Sequence, residues 1–144
     1  MASIKYIVRS RKNPIDKTSK FYAISAPHEL VTEEEIIEQI SQKSTLSRGD
    51  IMNVLSALRE EIRHNLCNGR KVKLNDIGTF RTSLHSSGVN TESEFNTGLI
   101  THCRVIFTPS RAIMRAVKPA TSRVTFTNAE SKPSQQSESD GGVG

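Results

Sequence analysis

A chain of 144 residues, 35% apolar and 24% charged, has room for one domain plus extensions. Its net charge of +5 favours an anionic partner without naming one. No apolar run approaches the roughly 20 residues that span a membrane, and the start, Met1-Ala-Ser-Ile-Lys-Tyr-Ile-Val-Arg-Ser10, has no signal-peptide apolar core. These features predict a cytoplasmic protein with no membrane partner, in which Cys67 and Cys103 stay free thiols.

The charge is unevenly spread. Residues 1–31 carry six Lys/Arg against two acids, and residues 32–69 carry four against seven. Residues 70–84 carry four against one, and 104–126 carry five against none. The basic residues therefore flank an acidic centre, the asymmetric footprint that a phosphate backbone needs.

In chain order, Ser3–Arg9 and Lys20–Ala26 read as strands, and Asn13-Pro14 as the turn between them. They predict a basic N-terminal hairpin over residues 1–31. Thr32-Glu33-Glu34-Glu35 is a capping box that opens a first helix, with Ile36, Ile37 and Ile40 as its buried stripe. Ser47, with Asp50 three residues on, opens a second helix. Its apolar stripe, Ile51, Val54, Leu55, Leu58, Ile62 and Leu66, is too long for so small a monomer to cover.

Asn68-Gly-Arg-Lys-Val-Lys-Leu-Asn-Asp-Ile-Gly-Thr-Phe80 follows. Gly69 ends the helix, Lys71 and Lys73 alternate with Val72 and Leu74, Gly78 allows a sharp turn, and Phe80 returns to the core. Residues 81–106 suit a long hairpin reaching on the order of 40 Å at about 3.3 Å per residue, although 85–103 are polar and glycine-punctuated. Arg104-Val-Ile-Phe107 is the returning strand, Pro109-Ser110 opens a last helix from Arg111 to about Lys118, and Pro119 stops it. Residues 119–144 turn to Ser, Gln, Pro, Glu and Gly, a low-complexity tail expected to be disordered, in which only Arg123–Thr127 suits a strand.

The set Gly69, Gly78, Phe80, Phe107 and Pro109, with Phe107-Thr-Pro-Ser110 before a short basic helix, resembles the bacterial HU and integration host factor family of histone-like nucleoid proteins over residues 32–118. The N-terminal hairpin resembles the leader of an HU-like subfamily. The resemblance implies an α+β, HU-like fold: a two-helix base, an antiparallel sheet with an extended β-arm over about 82–104, a short C-terminal helix, and an intertwined dimer. It also implies binding of double-stranded DNA by a homodimer, with low sequence specificity and modest bending, in DNA condensation on the nucleoid.

The residues expected to meet phosphate are Lys71, Lys73, Arg81, Arg104, Ser110, Arg111, Arg115 and Lys118. Arg111, Arg115 and Lys118 share a helix face, and the amides at Ser110 and Arg111 offer a seat at a helix start. The sequence departs from the family in the arm, where 85–103 hold no Arg, Lys or Pro and carry Glu92 and Glu94. A proline wedge is therefore absent, Val89 is the apolar residue nearest an expected tip, and Phe95 is expected to pack on its own hairpin.

The basics Lys5, Arg9, Arg11, Lys12, Lys17 and Lys20 would reach phosphate if the leader lies beside the sheet, and would guard a solvated edge if it does not. The alternative to DNA binding is a non-catalytic interaction protein on the same dimer scaffold with degenerate arms. RNA remains a third partner compatible with the charge. His28, His64, His85 and His102 have no ligand spacing, and no phosphate-loop ending follows Gly78. No enzyme activity, metal, cofactor or small-molecule substrate is expected.

Overall fold

A computed structural model describes residues 2–119 and 124–130. In chain order the elements are β1 (Ser3–Lys12), β2 (Ser19–Ser25), α1 (Glu33–Lys43), α2 (Arg48–Cys67), β3 (Val72–Leu74), β4 (Gly78–Ser86), β5 (Ile100–Pro109), α3 (Arg111–Ala116) and β6 (Thr125–Asn128). They fall into two compact units, residues 1–29 with 123–144, and residues 30–122.

The first unit is a three-stranded sheet in the order β2-β1-β6. The β1–β2 turn closes through the Asn13 amide, which donates to the Thr18 carbonyl at 2.8 Å. Lys17 takes the left-handed conformation there, with φ 57°. The Asp16 carboxylate accepts from the amide and the hydroxyl of Thr18, which holds it below the ordinary carboxylate range. Strand β6 runs parallel to β1, pairing Ser3 with Thr125 through Tyr6 with Asn128. A fork from Arg9 to Glu130, at 2.8 and 3.1 Å, adds to that pairing. Part of the stretch expected to be tail thus supplies a strand; residues 120–123 and 131–144 lie outside the described residues.

In the second unit both helices start as the sequence dictates. Thr32 and Ser47 are N-caps of reciprocal capping boxes with Glu35 and Asp50. The hydroxyl and amide of Ser47 hold the Asp50 carboxyl below its usual range, so the box stays charged. An Arg59–Glu33 pair at 2.6 Å ties α2 to the start of α1.

The expected buried stripe of α1 is corrected. Ile37 is buried, but Ile36 and Ile40 are 42% and 38% exposed. Among the described residues, Ile37 is the one buried position of this eleven-residue helix. On α2, Ile51 is buried, Leu55, Leu58, Ile62 and Leu66 are half-buried, and Val54 is exposed.

Sheet β3-β4-β5 is antiparallel throughout, with Leu74, Gly78 and Pro109 aligned at one end and Val72, Phe80 and Phe107 next to them. The rings of Phe80 and Phe107 lie 4.8 Å apart at 43°. Gly78 has a different purpose from the one expected. It carries no left-handed backbone; the turn's positive φ, 61°, falls on Asp76. A Cβ at Gly78 would instead lie 2.5 Å from the Phe107 ring and from the Thr108 carbonyl oxygen.

Among the described residues, the buried apolar side chains are Ala26, Ile37 and Ile51 alone. Complete burial of an aliphatic side chain stabilises by about 1.5–3 kcal/mol, whereas ordering each residue's backbone costs about 1–2 kcal/mol. A single chain has therefore buried little of the apolar surface its length calls for.

The close approach at Gly78 can be tested by substitution. Gly78→Ala should destabilise by about 1–3 kcal/mol through overpacking, read as a lower urea midpoint. Gly88→Ala, where nothing lies within 4 Å, should leave the midpoint in place. Equal midpoints for both variants would show that Phe107 is not seated on Gly78.

Candidate nucleic-acid interface

The site begins where α2 ends. Gly69 adopts φ +72°, and the Gly69 and Arg70 amides donate back to the Leu66 and Asn65 carbonyls, each at 3.0 Å. This reversal delivers the chain into β3 with its alternation in a fixed phase. Val72 and Leu74 are half-buried on one face, and Lys73 is exposed on the other. Lys71 precedes the strand, in phase with Lys73 and exposed.

Register carries that phase across the sheet. Lys73 pairs with Thr79 and Thr79 with Thr108; Arg81 pairs with Ile106, Ser83 with Arg104, and His85 with His102. Directly paired residues share a face. Lys73, Arg81, Arg104, His85 and His102 therefore project from one side of the sheet. Val72, Leu74, Phe80, Thr82, Leu84, Cys103, Val105 and Phe107 project from the other. Arg104 is the diagonal neighbour of Arg81, a separation of about 7–8 Å between backbones. The three strands hold no carboxylate, so nothing within the sheet neutralises this face.

The other expected residues gather at α3, which runs from Arg111 to Ala116, shorter than the expected Arg111–Lys118. Arg111, Met114, Arg115, Val117 and Lys118 line one cleft along it. Ser110 requires a correction. Its amide donates to the Ile77 carbonyl at 2.9 Å. Its hydroxyl donates to the Asp76 carbonyl at 2.8 Å and accepts from the Ile113 amide at 3.2 Å. These bonds use the Ser110 amide and hydroxyl and clip the start of α3 to the β3–β4 turn. The helix is positioned by Ser110; the cations project from Arg111 onward.

The arm is also shorter than expected. Beyond the Phe80–Phe107 pair the ladder runs from Arg81–Ile106 to Ser86–Ile100, with an irregularity at His85/Ser86. That reach is about 20 Å at 3.3 Å per residue. One further cross-strand bond follows, from the Ser87 amide to the Leu99 carbonyl at 2.9 Å. Between them the chain bonds locally: short 3-10 turns span Glu92–Glu94 and Thr97–Leu99, and the Asn96 side chain accepts from the Gly98 amide at 3.0 Å. Val89 and Phe95 are 39% and 44% exposed.

One feature of the basic face escapes a reading by ligand spacing. His85 and His102 are cross-strand neighbours with ring centroids 6.2 Å apart. The signal lay in symmetry: each stands five residues into the arm from its phenylalanine, Phe80 or Phe107. Among the described residues no cluster of three or more metal-ligating side chains forms, and no helix is long and apolar enough to cross a membrane. Cys67 and Cys103 are free and exposed.

This topology, two capped helices before a three-stranded antiparallel sheet and a short terminal helix, is an α+β, HU-like fold. A crystal structure from Bacteroides vulgatus, of a candidate bacterial DNA-binding protein, shares the fold. Its TM-score is 0.61 at 15% identity, over 92% of this chain and 52% of that one. A family model described as "HU domain fused to wHTH, Ig, or Glycine-rich motif" matches residues 1–123, and the chain belongs to that family. Integration host factor subunit alpha of Haemophilus influenzae is 42% identical over 57 residues, 40% of this chain and 59% of that protein. DNA-binding protein HU of Thermus thermophilus is 33% identical over 55 residues, 38% of this chain and 57% of that protein. The chain thus spans less than two thirds of either relative.

If Ser110 is a cap, Ser110→Ala should lower stability by about 1 kcal/mol, the usual cost of a lost N-cap, measurable by thermal melting. An unchanged melt would show that α3 is not held by this side chain.

Proposed function

We propose that the protein is a histone-like, non-catalytic DNA-binding protein of the nucleoid. It docks as a homodimer on the backbone of double-stranded DNA, with little sequence preference and modest bending. The observation that carries this reading is the division of one sheet into a carboxylate-free cationic face and an apolar face. Lys73, Arg81 and Arg104, with Lys71 leading in and Arg111, Arg115 and Lys118 on α3, supply the positive charge that backbone phosphates, identical in every sequence, attract. Each phosphate neutralised releases counterions, so binding falls steeply with salt. The name of one relative, DNA-binding protein HU, agrees with this partner.

The homodimer follows from what one chain leaves open. Val54 is 61% exposed on α2, and Leu84 and Val105 are 65% and 56% exposed on the apolar face of the sheet. Covering the exposed part of such side chains gains about 1–2 kcal/mol each, and a second copy offers the same surfaces in return.

A second reading has one observation in its favour. The loop beyond the arm's ladder carries Glu92 and Glu94 and no cation, so this tip repels phosphate. In that reading the dimer scaffold serves another partner. The two readings separate at the sheet: the interaction protein needs no cationic face, whereas the DNA-binding protein does.

Replacing Lys73, Arg81 and Arg104 together by Ala should weaken duplex binding for all sequences and lower the salt slope by about 1 for each phosphate no longer neutralised. Anisotropy titrations across a salt series measure both. Wild-type affinity and slope in this variant would rule the sheet out as the DNA surface. Val54→Asp should convert the dimer to monomer in sedimentation, because a lone charge in an apolar interface is costly. A variant that sediments as a dimer would place Val54 outside the contact.

A further inference from the structure

The turn end of the N-terminal hairpin carries a second cationic cluster that the interface above does not use. In the β1–β2 ladder Arg11 lies directly opposite Lys20, and Arg9 directly opposite Tyr22. Like charges placed opposite one another destabilise a ladder unless something of opposite sign answers them. Arg9 is answered, by the fork to Glu130. Arg11 and Lys20 form no salt bridge among the described residues. The neighbouring carboxylate, Asp16, is bound to the amide and hydroxyl of Thr18.

Arg11, Lys12, Asn13, Thr18, Lys20 and Tyr22 line one shallow, exposed cleft at this end, where Lys17 also projects from the turn. Arg11 and Lys20 share one face of the hairpin there with Tyr22, and the Asn13 side-chain oxygen accepts from the Ile15 amide at 3.1 Å. Cations without matching acids suit an anion. A single small anion would be met by Arg11 and Lys20; the further cations Lys12 and Lys17 suit a polyanion that continues past that pair.

We propose that the hairpin end is a separate DNA-binding site, in which a backbone phosphate of duplex DNA sits between Arg11 and Lys20 and relieves their repulsion. The site rests on the reading of DNA as partner but not on the sheet face. Its contribution is sequence-independent, because it touches phosphate alone.

The test uses the full chain as wild type, as Arg11→Ala/Lys20→Ala, and as the triple variant of the sheet, each titrated with a random-sequence duplex over a salt series. The hairpin variant should bind more weakly, with the salt slope smaller by about 1 for each phosphate left unneutralised. Its melting temperature without DNA should be equal to or above wild type, since a repulsion has been deleted. Arg11→Lys/Lys20→Arg should restore the slope. If the hairpin variant keeps wild-type affinity and slope while the sheet variant loses binding, the hairpin site is overturned and the DNA reading stands. If wild type itself does not bind duplex, both fall. If inorganic phosphate at matched ionic strength raises the wild-type melt as much as duplex does, and Arg11→Ala/Lys20→Ala removes that rise, the site holds free anions and the DNA assignment is overturned.

Discussion

The ring of Phe107 rests on the backbone of Gly78 and against the ring of Phe80. It is one contact between three residues, and it locks β4 against β5 in the register on which β3 also pairs. A one-residue slip in any of these strands would exchange its two faces. Lys73, Arg81 and Arg104 would then lie among Val72, Leu74 and Phe80. The same contact sets Pro109 opposite Gly78, which delivers Ser110 to the β3–β4 turn and α3 to its place. A packing constraint at one end of a sheet thus decides where the cations of the whole domain point.

The apolar side of that sheet raises the complementary problem. Leu84, Val105 and Phe107 face away from the cations, and α2 presents Val54 beside its half-buried stripe. Among the described residues, two capped helices and three strands leave these side chains exposed. In the proposed homodimer, pairing with a second copy would bury apolar faces and double the cationic ones in a single step, so stability and charge density would rise together. That coupling explains how a chain with so few buried side chains can carry a repulsive, carboxylate-free face.

Where the physics is local, the sequence was legible. Thr32 with Glu35 and Ser47 with Asp50 announced both helices, Gly69 announced the reversal, and the alternation of Lys71–Leu74 announced the faces of β3. The grouping of Lys73, Arg81 and Arg104 needed register, which spacing alone does not supply, and so did the His85–His102 pair. Gly78 was recognised as necessary for the wrong reason, because the steric demand comes from Phe107, distant in sequence. The part Ser110 has in clipping α3 to the β3–β4 turn was hidden because its bonds to Asp76 and Ile77 are tertiary. The arm was overestimated because its length was counted in residues, while Asn96 and its neighbours bond locally and end the ladder early. Nothing in residues 123–127 indicated that β6 would run parallel to β1, a pairing between the two ends of the chain.

The decisive measurement is the salt dependence of wild-type binding to a random-sequence duplex, followed by fluorescence anisotropy. If the cationic sheet face docks on the phosphate backbone, affinity should fall steeply as salt rises, with a slope magnitude above about 3 on logarithmic axes. Replacing the duplex by another of unrelated sequence should leave that line in place. An absence of binding at low salt, or a binding constant indifferent to salt, would contradict it.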